Sequence, residues 1–462
     1  MKEDQAITLK PIEAFIITFI LLGGISSAII FAGVVPHIPI VLAIMALFLY
    51  GIVKKVKIKE LEAGLIDGAK SGLGAIFIFF LIGMLISSWM VSGTIPTFIY
   101  SALEVVNGKF FYAIAFVVTS IIGMSIGSSL TTAATLGVAF MSVSSALGLS
   151  DSITAGAIIS GAFFGDKMSP LSDTTNLASM IVKVDMFEHI RNMAWTTVPA
   201  FIISFILFAF LSPREAAADF SKITFLKKTL LELGFVHWYS VIPFIILAIC
   251  ALKRVSALVT LSAGIISALI CSLFIQKDFA FDKMMNILFS GFESNSGSKE
   301  IDALLSSGGI ESMMFSISLV LLALAMGGLL FKLGIIPALL KGMQRLLRKV
   351  STLIASTACT AIGINFLLGE QYLSILLTGN AFQNSYEAAG LQLKNLSRVL
   401  EDAGTVVNPL VPWSVCGVFL TGVLGVETIQ YLPFTFFCLL SPLLTVVYGV
   451  TGFTITKNEK AA

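Results

Sequence analysis

The 462-residue chain is 57% hydrophobic and only 12% charged, about half the charged share of a soluble domain. That balance excludes a water-soluble globular protein. A net charge of +2 says nothing about nucleic acid, because the Lys and Arg fall in short clusters between apolar runs that read as topology signals, and no nucleic-acid partner is expected.

Lipid is the solvent such a chain requires, and the fold class it implies is an all-α polytopic membrane protein. Apolar runs of spanning length, about 17–25 residues, occur at Ile12–Val34, Leu73–Met90, Ala194–Leu211, Ser312–Phe331 and Tyr431–Val450. Each is predicted to be helical, because lipid offers an open backbone no partner. The first is expected to be retained, since Met1–Phe15 carries mixed charge and no small-residue cleavage site follows it. Cys250, Cys271, Cys359, Cys416 and Cys438 are scattered without metal-ligand spacing and read as small core residues. His37, His189 and His237 fall near predicted helix ends and read as interface residues. No HExxH, GxGD or GxSG motif occurs, which speaks against a membrane enzyme, and no cofactor is expected.

The chain resembles itself. Ser92–Pro96 matches Leu333–Pro337 at an offset of 241, Gly127 and Gly137 match Gly369 and Gly379 at 242, and Gly165–Thr174 aligns with Gly404–Trp413 at 239. Charge gives the relative orientation of the halves. Val53–Glu60 holds four lysines, whereas Gln276–Glu311, at the matching place, has three bases against six acids. The bias reverses again between Ser92–Lys109, with one base and one acid, and Lys332–Lys349, with Lys332, Lys341, Arg345, Arg348, Lys349 and no acid. Basic loops stay cytoplasmic, so two inverted-topology repeats are expected, 1–212 and 238–462, joined by a loop at 213–237. With Lys253 and Arg254 also inside, both termini come out cytoplasmic. Around Leu347 the bases Lys341, Arg345, Arg348 and Lys349 share one helical face, which fits an interfacial helix or an ordinary basic loop.

Four segments break the apolar pattern. Ile153–Phe164 runs into a polar stretch before the chain turns apolar again at Leu177–Val182, too short for a crossing and suited to a broken or re-entrant helix over 153–182. Pro170 should stop that helix. Asp166 and Asp173 supply carboxylates there, and Ser169, Ser172, Thr174, Thr175 and Asn176 supply the neutral oxygens that a hard cation prefers. The second cluster, Gly127–Thr135, lies in a charge-free stretch, Phe110–Ser150, and fits helix packing or an ion pathway equally. In the third, Glu370 stands alone in apolar surroundings, an expensive placement without a role. The fourth, within a second re-entrant motif at about 396–425, carries Asn408 just before two prolines, Pro409 and Pro412. Upstream of it Glu401 is expected to pair with Arg398. Paired carboxylates beside broken helices suit a gated site better than a continuous pore.

At Gly165–Ser179 (GDKMSPLSDTTNLAS) the sequence resembles the NhaC family of sodium/proton antiporters, and Gly363–Phe382 and Leu396–Gly417 look like that family's second-half blocks. The resemblance covers essentially the whole chain. It implies scaffold and transport domains, paired re-entrant hairpins, a homodimer with an elevator motion, and residence in a bacterial cytoplasmic membrane. Family members that exchange malate for lactate keep an organic-acid alternative open, with Lys167 as the group that would hold the acid. The expected site takes sodium or protons, not both. Asp166 and Asp173 are its expected sodium ligands, joined by Ser128, Ser129, Thr131, Ser169, Thr174, Thr175, Asn176, Asn365, Glu370, Gln371, Thr405 and Asn408.

Overall fold

The computed structural model describes residues 6–105, 110–170, 172–213, 220–253, 255–275, 281–294, 302, 305, 306, 308–343 and 349–458. Arg254, Arg345, Leu347, Arg348, Leu171 and parts of the 213–237 and 276–311 loops, on which some of the charge argument rests, lie outside the described residues. The described chain is helical apart from an isolated antiparallel bridge, Leu391 to Lys457. Among the described residues six helical runs are long and apolar enough to cross a bilayer: Pro11–Ile29, Ile58–Val91, Met186–Leu211, Leu258–Ile275, Ile310–Lys332 and Val350–Leu368. Two bent pairs add to them, Lys394–Leu410 with Val415–Leu424 at 46° and Thr428–Phe434 with Phe436–Thr451 at 61°. The protein is a multi-pass membrane protein. Large apolar side chains such as Phe19 and Phe210 point outward, 69% and 72% exposed, the arrangement lipid favours and water penalises.

Local chemistry sets where helices start and stop. The Met186–Leu211 helix begins upstream of the expected Ala194 because the Asp185 side chain accepts from the Phe187 and Glu188 amides, a strong cap. The expected run Tyr431–Val450 is broken instead. Pro433 sits in a 3-10 turn, Leu432–Phe434, and the long helix restarts at Phe436.

The matched breaks share a local geometry. Gly93 and Gly334 each turn the chain in the left-handed region, at φ 68° and 70°. Gly127 and Gly369 end the helices Phe111–Ile126 and Val350–Leu368 in the same conformation, at φ 71° and 67°, which glycine adopts without penalty. An extended N-cap follows each, Ser128 and Glu370, and a new helix begins at Ser129 or Gln371. Further on, Ser172 and Ser414 cap the helices Asp173–Ile181 and Val415–Leu424 through the Thr175 and Gly417 amides. These caps lie at an offset of 242, three residues off the register in which Gly165 was aligned with Gly404.

Small residues then let helix backbones touch. A Cβ on Gly161 would fall 2.4 Å from the Phe116 carbonyl oxygen, and one on Gly165 would fall 2.5 Å from the Ser120 carbonyl oxygen, both on the Phe111–Ile126 helix. Gly68 and Gly328 seal the Ile58–Ser71 helix against Ile310–Lys332 in the same way, with a Gly68 Cβ falling 2.3 Å from the Leu324 carbonyl oxygen. Such contacts replace the hydrophobic drive that lipid removes. Because the obstacle is backbone, Gly161→Leu and Gly68→Leu should each lower stability by at least ~1–3 kcal/mol, read as an earlier thermal unfolding midpoint in detergent. Gly74→Ala, where an added Cβ meets nothing within 4 Å, should leave that midpoint in place.

Candidate functional site

Asp166 does not sit in a loop. The helix that carries it runs Asp151–Met168 and stops, as expected from Pro170, where Ser169 turns extended, a conformation the proline ring imposes on its predecessor. The glycine contacts press this helix onto Phe111–Ile126, so Asp166 arrives at the break that follows Ile126. Its Oδ2 accepts from the Ser129 amide at 3.1 Å and from the Ser129 hydroxyl at 2.7 Å. A buried carboxylate thus faces the start of the helix beginning at Ser129, where the free amides and the dipole favour negative charge. Ser172 and Asp173 are its other near neighbours. Within Gly127–Thr135 it is thus Ser129 that bonds Asp166.

Asp166 and Asp173 are not equivalent. Asp166 is 5% exposed, while Asp173, in the first turn of the Asp173–Ile181 helix, is an exposed residue. Glu370 caps its own half-helix, Oε2 accepting from the Leu373 amide at 2.7 Å, which answers the cost of its placement. Tyr372 stands within electrostatic reach of Asp166, Asp173 and Glu370, and Cys416 within reach of Asp166 and Glu370. Three elements distant in sequence therefore converge. A cavity of about 420 Å³ opens beside them, lined by Glu370, Gln371, Tyr372, Leu130 and Cys416.

Other expected ligands hold the breaks in shape. Ser128 accepts from the Thr131 amide and donates to its hydroxyl. The Thr174 hydroxyl bonds that of Ser172 at 3.1 Å, and Thr175 donates to the Lys167 carbonyl at 3.1 Å. Asn176 Nδ2 donates to the Pro170 and Ser172 carbonyls, while the Ser169 amide closes onto the Asp166 carbonyl at 3.0 Å. Asn365 and Asn408 engage each other, Asn408 Nδ2 to Asn365 Oδ1 at 2.8 Å, and Asn408 Oδ1 takes the Cys416 amide at 2.9 Å. Gln371 Oε1 and the Thr405 hydroxyl are buried without a hydrogen-bond partner.

Burial bears on three expectations. Lys167 binds Asp402, with both side chains fully buried. Asp402 also accepts from Ser441 at 2.6 Å, Thr196 at 2.9 Å and Thr445, and Lys167 donates to Ser441 at 2.9 Å. Lys167 therefore already has a counter-charge. Arg398 does not pair with Glu401. Its Nη1 bonds the Thr454 hydroxyl at 2.9 Å, and both Glu401 carboxyl oxygens are buried with no hydrogen-bond partner, as is the neighbouring Thr405 hydroxyl. His189 is no interface residue, being fully buried with Nδ1 on the Ser397 hydroxyl at 2.8 Å. The signal for the Lys167 pair was present in the sequence, because an ammonium at membrane depth demands a counter-charge. Spacing gave no means of choosing Asp402 over its neighbours.

Comparison with known proteins bears on the same residues. The profile described as the Na+/H+ antiporter family matches residues 161–453, from Gly161 to Phe453. The chain belongs to this family. It is 41% identical to the Na+/H+ antiporter NhaC of Alkalihalophilus pseudofirmus over 96% of its own length and 97% of that protein's. To NhaC of Bacillus subtilis it is 40% identical, over 92% of the chain and 94% of the relative. The malate-2H+/Na+-lactate antiporter of Bacillus subtilis is more distant, 32% identical over 99% and 98%. These relatives are named as transporters rather than enzymes.

The buried pair makes a sharp energetic test. Asp402→Asn leaves the Lys167 ammonium without its counter-charge and should cost ~3–5 kcal/mol, seen as a large drop in the unfolding midpoint. Lys167→Met combined with Asp402→Leu removes both charges and should recover most of that loss.

Proposed function

We propose that the protein exchanges sodium ions for protons, with Asp166 as the group that holds one or the other. The observation that carries this reading is how the freed helix starts are filled. Asp166 takes the Ser129 amide, Glu370 the Leu373 amide and Asn408 the Cys416 amide, and Lys167 is bound to Asp402. An organic carboxylate would need such donors, and each of these already has an internal acceptor. A cation needs oxygens, and Asp166 with the Ser129 and Ser172 hydroxyls offers them beside Asp173 and Glu370. The sodium/proton antiporters at 41% and 40% identity support the same substrate pair.

Exchange follows from competition. A buried carboxylate is neutralised by a proton or by a desolvated cation, so binding either one expels the other. Access alternates as the two inverted repeats, 1–212 and 238–462, move against each other. The shared break geometry at Gly127 and Gly369 supports such a repeat. The protein acts as a transporter, not an enzyme, and works as a homodimer in the bacterial cytoplasmic membrane with both termini inside.

The test is flux. Proteoliposomes should release protons on addition of sodium with neither malate nor lactate present. Asp166→Asn should abolish this while inserting and folding normally, because it keeps the shape and removes the charge. Wild-type exchange in Asp166→Asn overturns the assignment of the residue, and flux that requires malate or lactate replaces sodium/proton exchange with the organic-acid reading.

A further inference from the structure

The cavity beside the candidate site is too large and too aromatic for a bare ion alone. Its 420 Å³ is many times the about 30 Å³ a water molecule takes up in the liquid and falls within the range of small-molecule pockets. Its lining contains one charged side chain, Glu370, and no Lys, Arg or His. Phe79, Phe419 and Tyr372 line it as well, with the first two rings packed edge to face at 5.2 Å. Gln371 belongs to the same wall. One carboxylate and aromatic rings suit an organic ammonium, which pairs with the carboxylate and lies against ring faces. An organic anion meets the Glu370 charge there and no cationic side chain.

We propose that this cavity is a binding site for small organic ammonium ions, with Glu370 as the counter-charge, and that an occupant competes with sodium at the neighbouring Asp166. The competition rests on the sodium reading above; the ammonium site itself does not. Tyr372 and Cys416, which line the cavity, stand within electrostatic reach of Asp166, so a positive charge held at Glu370 repels a second one at Asp166.

The probes are n-butylammonium, butyrate and n-butanol, added to the purified full-length protein. In sodium-free buffer, n-butylammonium should raise the unfolding midpoint, and the other two should not. Glu370→Gln should lose that shift, as should Gly74→Phe, which fills the cavity from a position where an added Cβ meets nothing within 4 Å. With radioactive sodium, n-butylammonium should displace bound ion at a concentration at least tenfold lower than butyrate, and Gly74→Phe should keep sodium binding while losing the displacement. Equal shifts from all three probes indicate an apolar or lipid-filled groove and overturn the proposal. So does a shift by n-butylammonium that survives in both variants. A wild-type protein that binds n-butylammonium through Glu370 but no sodium overturns the exchange reading and leaves the ammonium site standing.

Discussion

Every helix broken inside a bilayer exposes backbone amides that water cannot reach, and the fold is arranged around answering them. Asp166 covers the start at Ser129, Glu370 the start at Gln371, and Ser172 and Ser414 the starts at Asp173 and Val415. Two of these acceptors are carboxylates. A carboxylate at a helix start gains from the dipole and from charge-assisted hydrogen bonds, and it remains an anion that a cation can approach from the other side. In the proposed exchange, structural need and ion binding therefore fall on the same atoms. This explains why the conformational breaks and the polar chemistry coincide, and why glycines that bring Asp151–Met168 against Phe111–Ile126 matter to the site although they touch no ion.

A second charge centre lies deeper and has a different character. Lys167 and Asp402 neutralise one another, and hydroxyls from three further positions, Thr196, Ser441 and Thr445, complete the shell of Asp402. The pair joins the helix ending at Met168 to the π-helical turn Leu400–Thr405, so it ties the two halves of the chain together beside Asp166. Fully bonded buried pairs of this kind specify geometry more than they add stability. Glu401, next to Asp402, has the opposite status, buried with neither oxygen hydrogen-bonded. Lys167 cannot compensate both acids.

Cation preference thus arises by occupation as much as by attraction. The amides and the ammonium that could hold an organic acid are spent on internal acceptors, and the cavity beside the site is lined by one carboxylate and aromatic side chains.

The sequence by itself determined the solvent, the helical class, most spans and the places where helices break, because these depend on local quantities: apolar run length, glycine and proline geometry, and capping side chains. It also picked out Asp166, Asp173 and Glu370 as carboxylates of interest, since charge in an apolar run stands out without any knowledge of contacts. Only the tertiary structure decided partnership. That Asp166 is buried against Ser129 while Asp173 is exposed, that Lys167 takes Asp402 across more than two hundred residues, and that Arg398 leaves Glu401 unpaired all depend on which helices meet. Local periodicity carries no record of that. The backbone contacts at Gly161, Gly165 and Gly68 fix it, because a separation of a few ångströms decides which buried charge finds a partner.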